Sequence, residues 1–382
     1  MRTQKNLIKF KVFIAISIFF FIFSCSTKQI QEKKTEIALN IPVVYNPKNP
    51  EPPHETLLKI IIEEELFLGY EQKKGSFFPS KMGRADVDRD GNIYVVDREE
   101  AKVKVFNKDG RFVRAFGKKG RGPCKLIDPF YIRTIEGKGI MLYDGSNRRL
   151  SYYTFEGHCL EEVSAAKYRD VNIGDPQVDS KGNIMPIIFY LKRIPKRVVW
   201  MAQERRYIQH LVKFDPNFNP YITISSFEFS IGFGERPLII PRFTHLVRKD
   251  DSIIWGIYSE NSKYELYVAN AEGKIIKKIV KEYNPVKIPE EEKAGRVAPE
   301  YFPPFRRITC DDEGKIYVKT YEKDKDNRVF WDVFDPEGRY ITKFSLPKRE
   351  MIFRIHKDHL YTLDEEGIPF EGFVKRYRVI WE

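Results

Sequence analysis

A short pattern that keeps returning restricts this chain more than any other feature. It is first seen where alternating residues from Ala85 run into Asp90-Gly91 and an apolar stretch, Ile93-Tyr94-Val95-Val96, follows. That is a β-hairpin, because the tight turn needs φ > 0 and glycine supplies it without steric cost. Residues 103–106, a second turn at Asp109-Gly110 and residues 112–116 complete four antiparallel strands in quick succession.

The same cycle recurs along the chain. Residues 140–144 pair with 150–155 before Gly157, and 179–184 are followed by 211–215 after a long insertion. Residues 250–254 lead to 264–268 and Gly273, and 311–317 lead to Trp331, Gly338 and 340–344. A degenerate sixth unit covers 351–363 and 373–380. The second-turn markers Gly110, Gly157, Asn217, Gly273 and Gly338 recur at intervals of roughly fifty to sixty residues, the period of blades stacked radially around a channel. The fold class read from this is all-β, a six-bladed β-propeller with four-stranded antiparallel blades over residues 57–382. The last unit is one strand short. Residues 57–68 supply a lone early strand, and the β-branched run Ile60-Ile61-Ile62 favours strand over a helix starting near Glu55. An N-terminal strand closing the last blade would remove an exposed sheet edge.

Composition matters mainly through where its charge lies. The chain has 382 residues and a formal charge of +12, which invites a nucleic-acid reading. A third of that charge sits in Arg2, Lys5, Lys9 and Lys11, a basic start without an acid. Residues 12–23 are apolar except for Ser17. Twelve helical residues rise about 18 Å, short of the roughly 30 Å hydrocarbon core, so this is a secretory signal rather than a span. Its end, Ile22-Phe23-Ser24-Cys25, resembles the bacterial lipobox, which implies lipidation of Cys25 and removal of residues 1–24. Phe23 is bulkier than the usual lipobox residue there. Residues 25–56 read as a lipid-anchored flexible tether, since five prolines (Pro42, Pro47, Pro50, Pro52, Pro53) favour extended chain, although residues 41–45 have the character to pack on the body. The expected location is the bacterial envelope, extracytoplasmic, periplasmic or at the outer membrane or cell surface, and Ser26 after the cysteine suits outer-membrane sorting. Export also sets nucleic acid aside as a partner.

The first repeat resembles an NHL-type repeat, and residues 57–382 resemble the six-bladed β-propeller lipoproteins of bacteria. The likeness is carried by Asp90-Gly91-Asn92-Ile93-Tyr94-Val95-Val96-Asp97, by Val105-Phe106 with Asp109-Gly110, and by Phe116-Gly117 through Gly122-Pro123. The glycine typical of that family after the proline is Cys124 here, so a locally different loop backbone is expected. Later units match only in their hairpin cores. The resemblance implies architecture and is nearly silent on ligand.

Two insertions interrupt the repeats. Residues 190–207 hold Arg193, Arg197, Trp200 and Arg205 between the second and third strands of blade three, and 285–304 lie between blades four and five, with a helix start at Pro289 and Glu290 to Glu292. Both should emerge on the face that carries 117–123, and loops on a rigid scaffold are where binding residues gather. Aligning the hairpins places Arg84 opposite Tyr131, Asp175, Thr244 or His245, Arg307 and Met351, at the start of each innermost strand. Arg84, Tyr131, Asp175, His245 and Arg307 are therefore candidates for a polar channel mouth, with Arg133, Arg242 and Arg306 nearby; arginine forks suit carboxylates or sulfated groups. The competing reading is a water-filled channel with structural Arg–Asp pairs.

Catalytic signals are sparse. The six histidines are dispersed; His356 and His359 fall in a hairpin turn, where both should be exposed, and no third ligand is near in sequence for a metal. No phosphate loop or nucleophile elbow is visible, so no catalytic residue, cofactor or metal is assigned. Cys124, Cys159 and Cys310 permit at most one pair. The resulting expectation is a non-enzymatic binding or scaffold module for a protein or glycan partner. The alternative is a channel enzyme, a lyase or hydrolase.

Overall fold

The computed structural model describes residues 41–51, 59–69, 78–168, 170–192, 204–259, 262–366 and 371–382. The leader, Cys25 and residues 26–40 lie outside them. Six antiparallel four-stranded sheets follow one another in chain order, and one of them gains a fifth, parallel strand. Blade one is Met82–Val87, Ile93–Asp97, Lys102–Phe106 and Phe112–Phe116, in the order read from the sequence. Every blade runs from an innermost to an outermost strand in this way. The chain is a six-bladed β-propeller.

The hairpins form for a reason repeated in the sequence. An Asp or Asn at the end of one strand folds its side chain back onto the turn: Asp88 Oδ1 accepts from the backbone N–H of Asp90 and of Asn92, both at 2.9 Å. The same turn recurs at Asn107, Asp179, Asp215, Asn270, Asp311 and Asp324. Such side chains satisfy turn donors that no strand partner reaches. The core then lies between blades. Tyr94, Val96, Val103 and Val105 of blade one, for example, pack on Ile132, Ile140, Leu142 and Tyr153 of blade two.

Ring closure uses the N-terminal chain. Ile60–Gly69 pairs antiparallel with Phe373–Trp381 as the outermost strand of blade six, as the missing-strand argument expects. Ile60 enters the core between blades five and six. Leu66 and Leu68 reach blade one so closely that a Cβ on Gly110, at φ +79°, would stand 2.7 Å from Leu66 Cδ1. The strand thus touches the blades on both sides of the seam.

Four residues of the span read as tether are also ordered onto the body. Val43–Asn46 pairs parallel with Ile275–Lys281, the outermost strand of blade four. Asn46 is buried; its Nδ2 donates to the carbonyls of Val280 (3.2 Å) and Gly338 (3.0 Å), and its Oδ1 accepts from Tyr340 N–H (2.7 Å), so it staples blade four to blade five.

A second closure runs around the face opposite the insertions. The turns between first and second strands are linked in sequence: Arg89 to Glu136 (3.3 Å), Lys138 Nζ to the Ser180 carbonyl (3.0 Å), Ser180 Oγ to Asp251 (2.6 Å), Lys249 to Asp312 (3.2 Å), and Asp312 to His356. His356 Nε2 lies 3.1 Å from the Arg89 carbonyl, completing the circle. His356 is accordingly not the exposed turn residue expected. Its side chain is only 11% exposed, because blades one and five close over it from either side.

Candidate functional site: the channel mouth on the loop face

The innermost strands carry their extra residues where the candidate residues sit. Backbone register shifts lie between Met82 and Ala85, between Pro129 and Tyr131, and between Gly174 and Gln177. A bulge of this kind bends a strand and re-aims a side chain. Arg84, Phe130 and Asp175 occupy those bulges, and Asp175 takes φ +41°.

Of the five channel candidates, Arg84, Asp175, His245 and Arg307 share one electrostatic neighbourhood. Arg133 Nη2 donates to Asp175 at 2.9 Å, Arg307 Nη1 lies 3.8 Å away on the other carboxylate oxygen, and Gln177 Nε2 donates at 3.1 Å. Burial pushes the Asp175 carboxyl up, but Arg133, His245, Arg307 and Arg84 together outweigh it and hold it below the usual carboxylate range. Arg307 moves the other way. Burial and the facing Arg84 bring its guanidinium down to about 10, and its Nε is buried without a hydrogen-bond partner.

The rest of the proposed ring is less open. Tyr131 packs against Phe130, ring centroids 4.8 Å apart, and against Tyr143. The one-residue ambiguity in blade four resolves into two buried side chains: Thr244 Oγ1 accepts from Ile308 N–H (3.1 Å), while His245 Nε2 meets the Met185 carbonyl at 2.8 Å. A carbonyl only accepts, so Nε2 carries the proton and Nδ1 is a bare acceptor, buried and without a partner. Burial, first among the causes, pulls this imidazole's pKa down. Met351 belongs to the core between blades six and one.

Two important members of the mouth were not singled out from the sequence. Glu365, just past the second strand of blade six, accepts from Lys319 Nζ at 2.7 Å and stands 3.2 Å from Arg306 Nε. Lys319 is 1% exposed, and its other donors reach the carbonyls of Lys348 (3.0 Å) and Glu350 (2.9 Å). A lysine inside the run Ile316-Tyr317-Val318-Lys319-Thr320-Tyr321 was the available signal, since a lone cation in a buried strand demands a partner. Burial raises the Glu365 carboxyl, but Lys319, Arg306 and Arg307 prevail and bring it from 4.5 down to about 2. A carboxyl depressed by folding contributes stability above its unfolded pKa and loses it as pH falls toward the folded one. Some 3 kcal/mol should therefore drain away between about pH 5 and pH 2. Urea midpoints measured down that range should converge for wild type and Glu365→Gln; curves that stay parallel would remove Glu365 from the acid limb.

The loop-face candidates divide. Arg193, Arg197 and Trp200 lie outside the described residues. Arg205 is exposed, with its guanidinium 5.0 Å over the Phe233 ring. The second insertion is better defined. It makes the single helical turn Glu290–Lys293, and Leu238 N–H donates to the Val297 carbonyl at 2.8 Å. Beneath it Ile239, Tyr258 and Ile288 form a small separate core with Phe302 and Tyr321. Cys124, in the loop after blade one, is bonded to Cys159 at the start of the outermost strand of blade two. Cys124 adopts φ +56°, so the backbone there is the left-handed one that suits glycine, in place of the local difference expected. Among the described residues no group of three His, Cys, Asp or Glu side chains gathers as metal ligands.

These features define a six-bladed β-propeller with a charged channel mouth on its loop-bearing face. The family described as "6-bladed beta-propeller" (DUF5128) matches residues 85–174, from the first innermost strand to that of blade three. Among curated proteins none matches the sequence. Of solved structures, a member of the duf4221 family from Bacteroides vulgatus superposes with a TM-score of 0.52 at 12% identity, covering 85% of this chain and 99% of that one. A protein described as exported from Bacteroides fragilis gives 0.47 at 12% identity over 88% and 99%. Virginiamycin B lyase from Staphylococcus aureus gives 0.46 at 8% over 84% and 100%. At such identities the likeness is one of fold.

Proposed function

We propose that this chain is an envelope-anchored lipoprotein, held through Cys25, whose propeller is a non-enzymatic binding or scaffold module for a protein or glycan partner docking on the loop face. One observation carries the reading. Leu191, Phe233, Ile240, Val297 and Tyr301 are all large, apolar and 41% to 52% exposed, and chain topology brings all five to the loop face of blades three to five. Clustered exposed apolar side chains around a polar rim mark interaction surfaces more than isolated ones do. The Cys124–Cys159 bond supports an extracytoplasmic setting, because such bonds are rare in reducing compartments.

The test is capture from envelope extract by the lipid-free body, with retained proteins and glycans identified, beside the surface variant Phe233→Ser/Tyr301→Ser. A retained component that the variant loses supports the reading; identical capture by both defeats it. The channel-enzyme alternative has its own supporting observation in the bare, buried Nδ1 of His245 beside Asp175. Turnover of an extracytoplasmic substrate that disappears in Asp175→Ala would favour it.

A further inference from the structure

The charges at the mouth do not balance. Arg84, Arg133, Arg242, Arg306, Arg307 and Lys319 face two carboxylates, each already shared. Asp175 lies between Arg133 and Arg307, at 2.9 and 3.8 Å, and Glu365 between Lys319 and Arg306, at 2.7 and 3.2 Å. Arg84 and Arg242 have no carboxylate contact among the described residues. Arg84 rests its guanidinium 5.4 Å over the Phe130 ring and points Nη1 at the Met351 sulfur, 3.6 Å away. Arg242 lies 5.1 Å over the Tyr258 ring. Beyond that sulfur, a weak acceptor, neither guanidinium has a hydrogen-bond acceptor among the described residues. Arg242 is exposed to water, but Arg84 is half-buried, and a half-buried guanidinium without a carboxylate lacks the partner that an anion would supply.

We infer that the channel mouth binds one oxyanion, a carboxylate or sulfate carried on a sugar or a small acid, between Arg84 and Arg307. This rests on the loop face being a binding face and names the chemical group it would read. Each guanidinium offers two parallel N–H donors, which match a carboxylate edge or two oxygens of a sulfate. The unpartnered Nε of Arg307 is the second donor of such a fork. An incoming anion would also offset the repulsion between Arg307 and Arg84, which together with burial lowers the Arg307 pKa. Asp175 remains occupied by Arg133, so it need not be displaced.

The clean variant is Arg84→Gln. Arg84 holds no ion pair among the described residues, so removing its charge orphans no carboxylate there, whereas Arg133→Gln would expose Asp175. The experiment titrates the purified body with inorganic sulfate, glucuronate and neutral glucose at constant ionic strength, following heat or thermal midpoint. Saturable binding of glucuronate or sulfate but not glucose is expected, weakened about tenfold or more by Arg84→Gln or Arg307→Gln, the loss of one charge-assisted contact, and unchanged by Arg111→Gln, at an exposed turn between the third and fourth strands of blade one. Stronger glucuronate than sulfate assigns the site to a sugar acid, and the reverse to a sulfated group. Absence of saturable binding, or binding that the two variants leave intact although they melt as wild type does, overturns the inference. Captured partners that still depend on Phe233 and Tyr301 would then leave the docking reading standing, while oxyanion binding without any such capture would leave only the site.

Discussion

A truncation lacking residues 1–69 is expected to lose its folded monomer, whereas one lacking only residues 1–40 should keep it. The shorter deletion leaves every contact among the described residues in place. The longer one strips Ile60–Gly69 from Phe373–Trp381 and leaves that strand with an unpaired edge, the sort of edge that templates association. It also empties the seam, since Ile60 fills the core between blades five and six while Leu66 and Leu68 cover the turn of blade one. The loss should approach the entire net stability of a domain, about 5–15 kcal/mol. Size-exclusion chromatography and thermal melts of the two truncations give the check. A monodisperse 70–382 chain melting within a few degrees of the 41–382 chain would mean that the seam does not depend on this strand.

The second large effect concerns the disulfide. Cys124 and Cys159 are 35 residues apart in sequence, and they tie the loop after blade one to the outermost strand of blade two, Cys159–Ser164. Closing a loop of that length restricts the unfolded chain by about 4 kcal/mol in the chain-entropy picture. Cys124→Ser/Cys159→Ser should lower the urea stability by that order. The left-handed backbone at Cys124 adds a finer expectation. Cys124→Gly/Cys159→Ser relieves the left-handed penalty of roughly 1–2 kcal/mol, so it should recover part of the loss that serine incurs. Equal stability of the two double variants would show that the φ of +56° is not maintained without the bond. Equal stability of wild type and serine variant would show that the bond contributes little.

What the chain disclosed in advance was local, and what it withheld was not. Each hairpin announces itself because its turn is solved by residues within five positions, as Asp88, Gly91 and Asn92 illustrate. Alternation of apolar residues then fixes which side of each strand enters the core. Blade count, ring closure and the insertion sites follow from those units alone. The parallel strand Val43–Asn46 gave no such signal, since its partner lies far along the chain and a parallel pairing has no turn to mark it. Glu365 escaped for a similar reason: its significance comes from Lys319, on the neighbouring blade, and from Arg306 and Arg307. The polar ring was half legible. Register found Arg84, Asp175 and Arg307, but the ring is not uniform, because the equivalent positions Met351 and His245 are buried in the body.

The parallel strand on blade four decides where a line drawn from the membrane would reach the wheel. Anchored at Cys25 as proposed, the chain spans seventeen residues to Pro42, at most about 60 Å when fully drawn out. It would meet the body at its rim, beside the outermost strand of blade four, and then continue past blade five, where Glu51 N–H donates to the Tyr340 carbonyl. Attached at the rim in this way, the wheel would keep both flat sides, the arginine-lined mouth included, clear of the point of attachment.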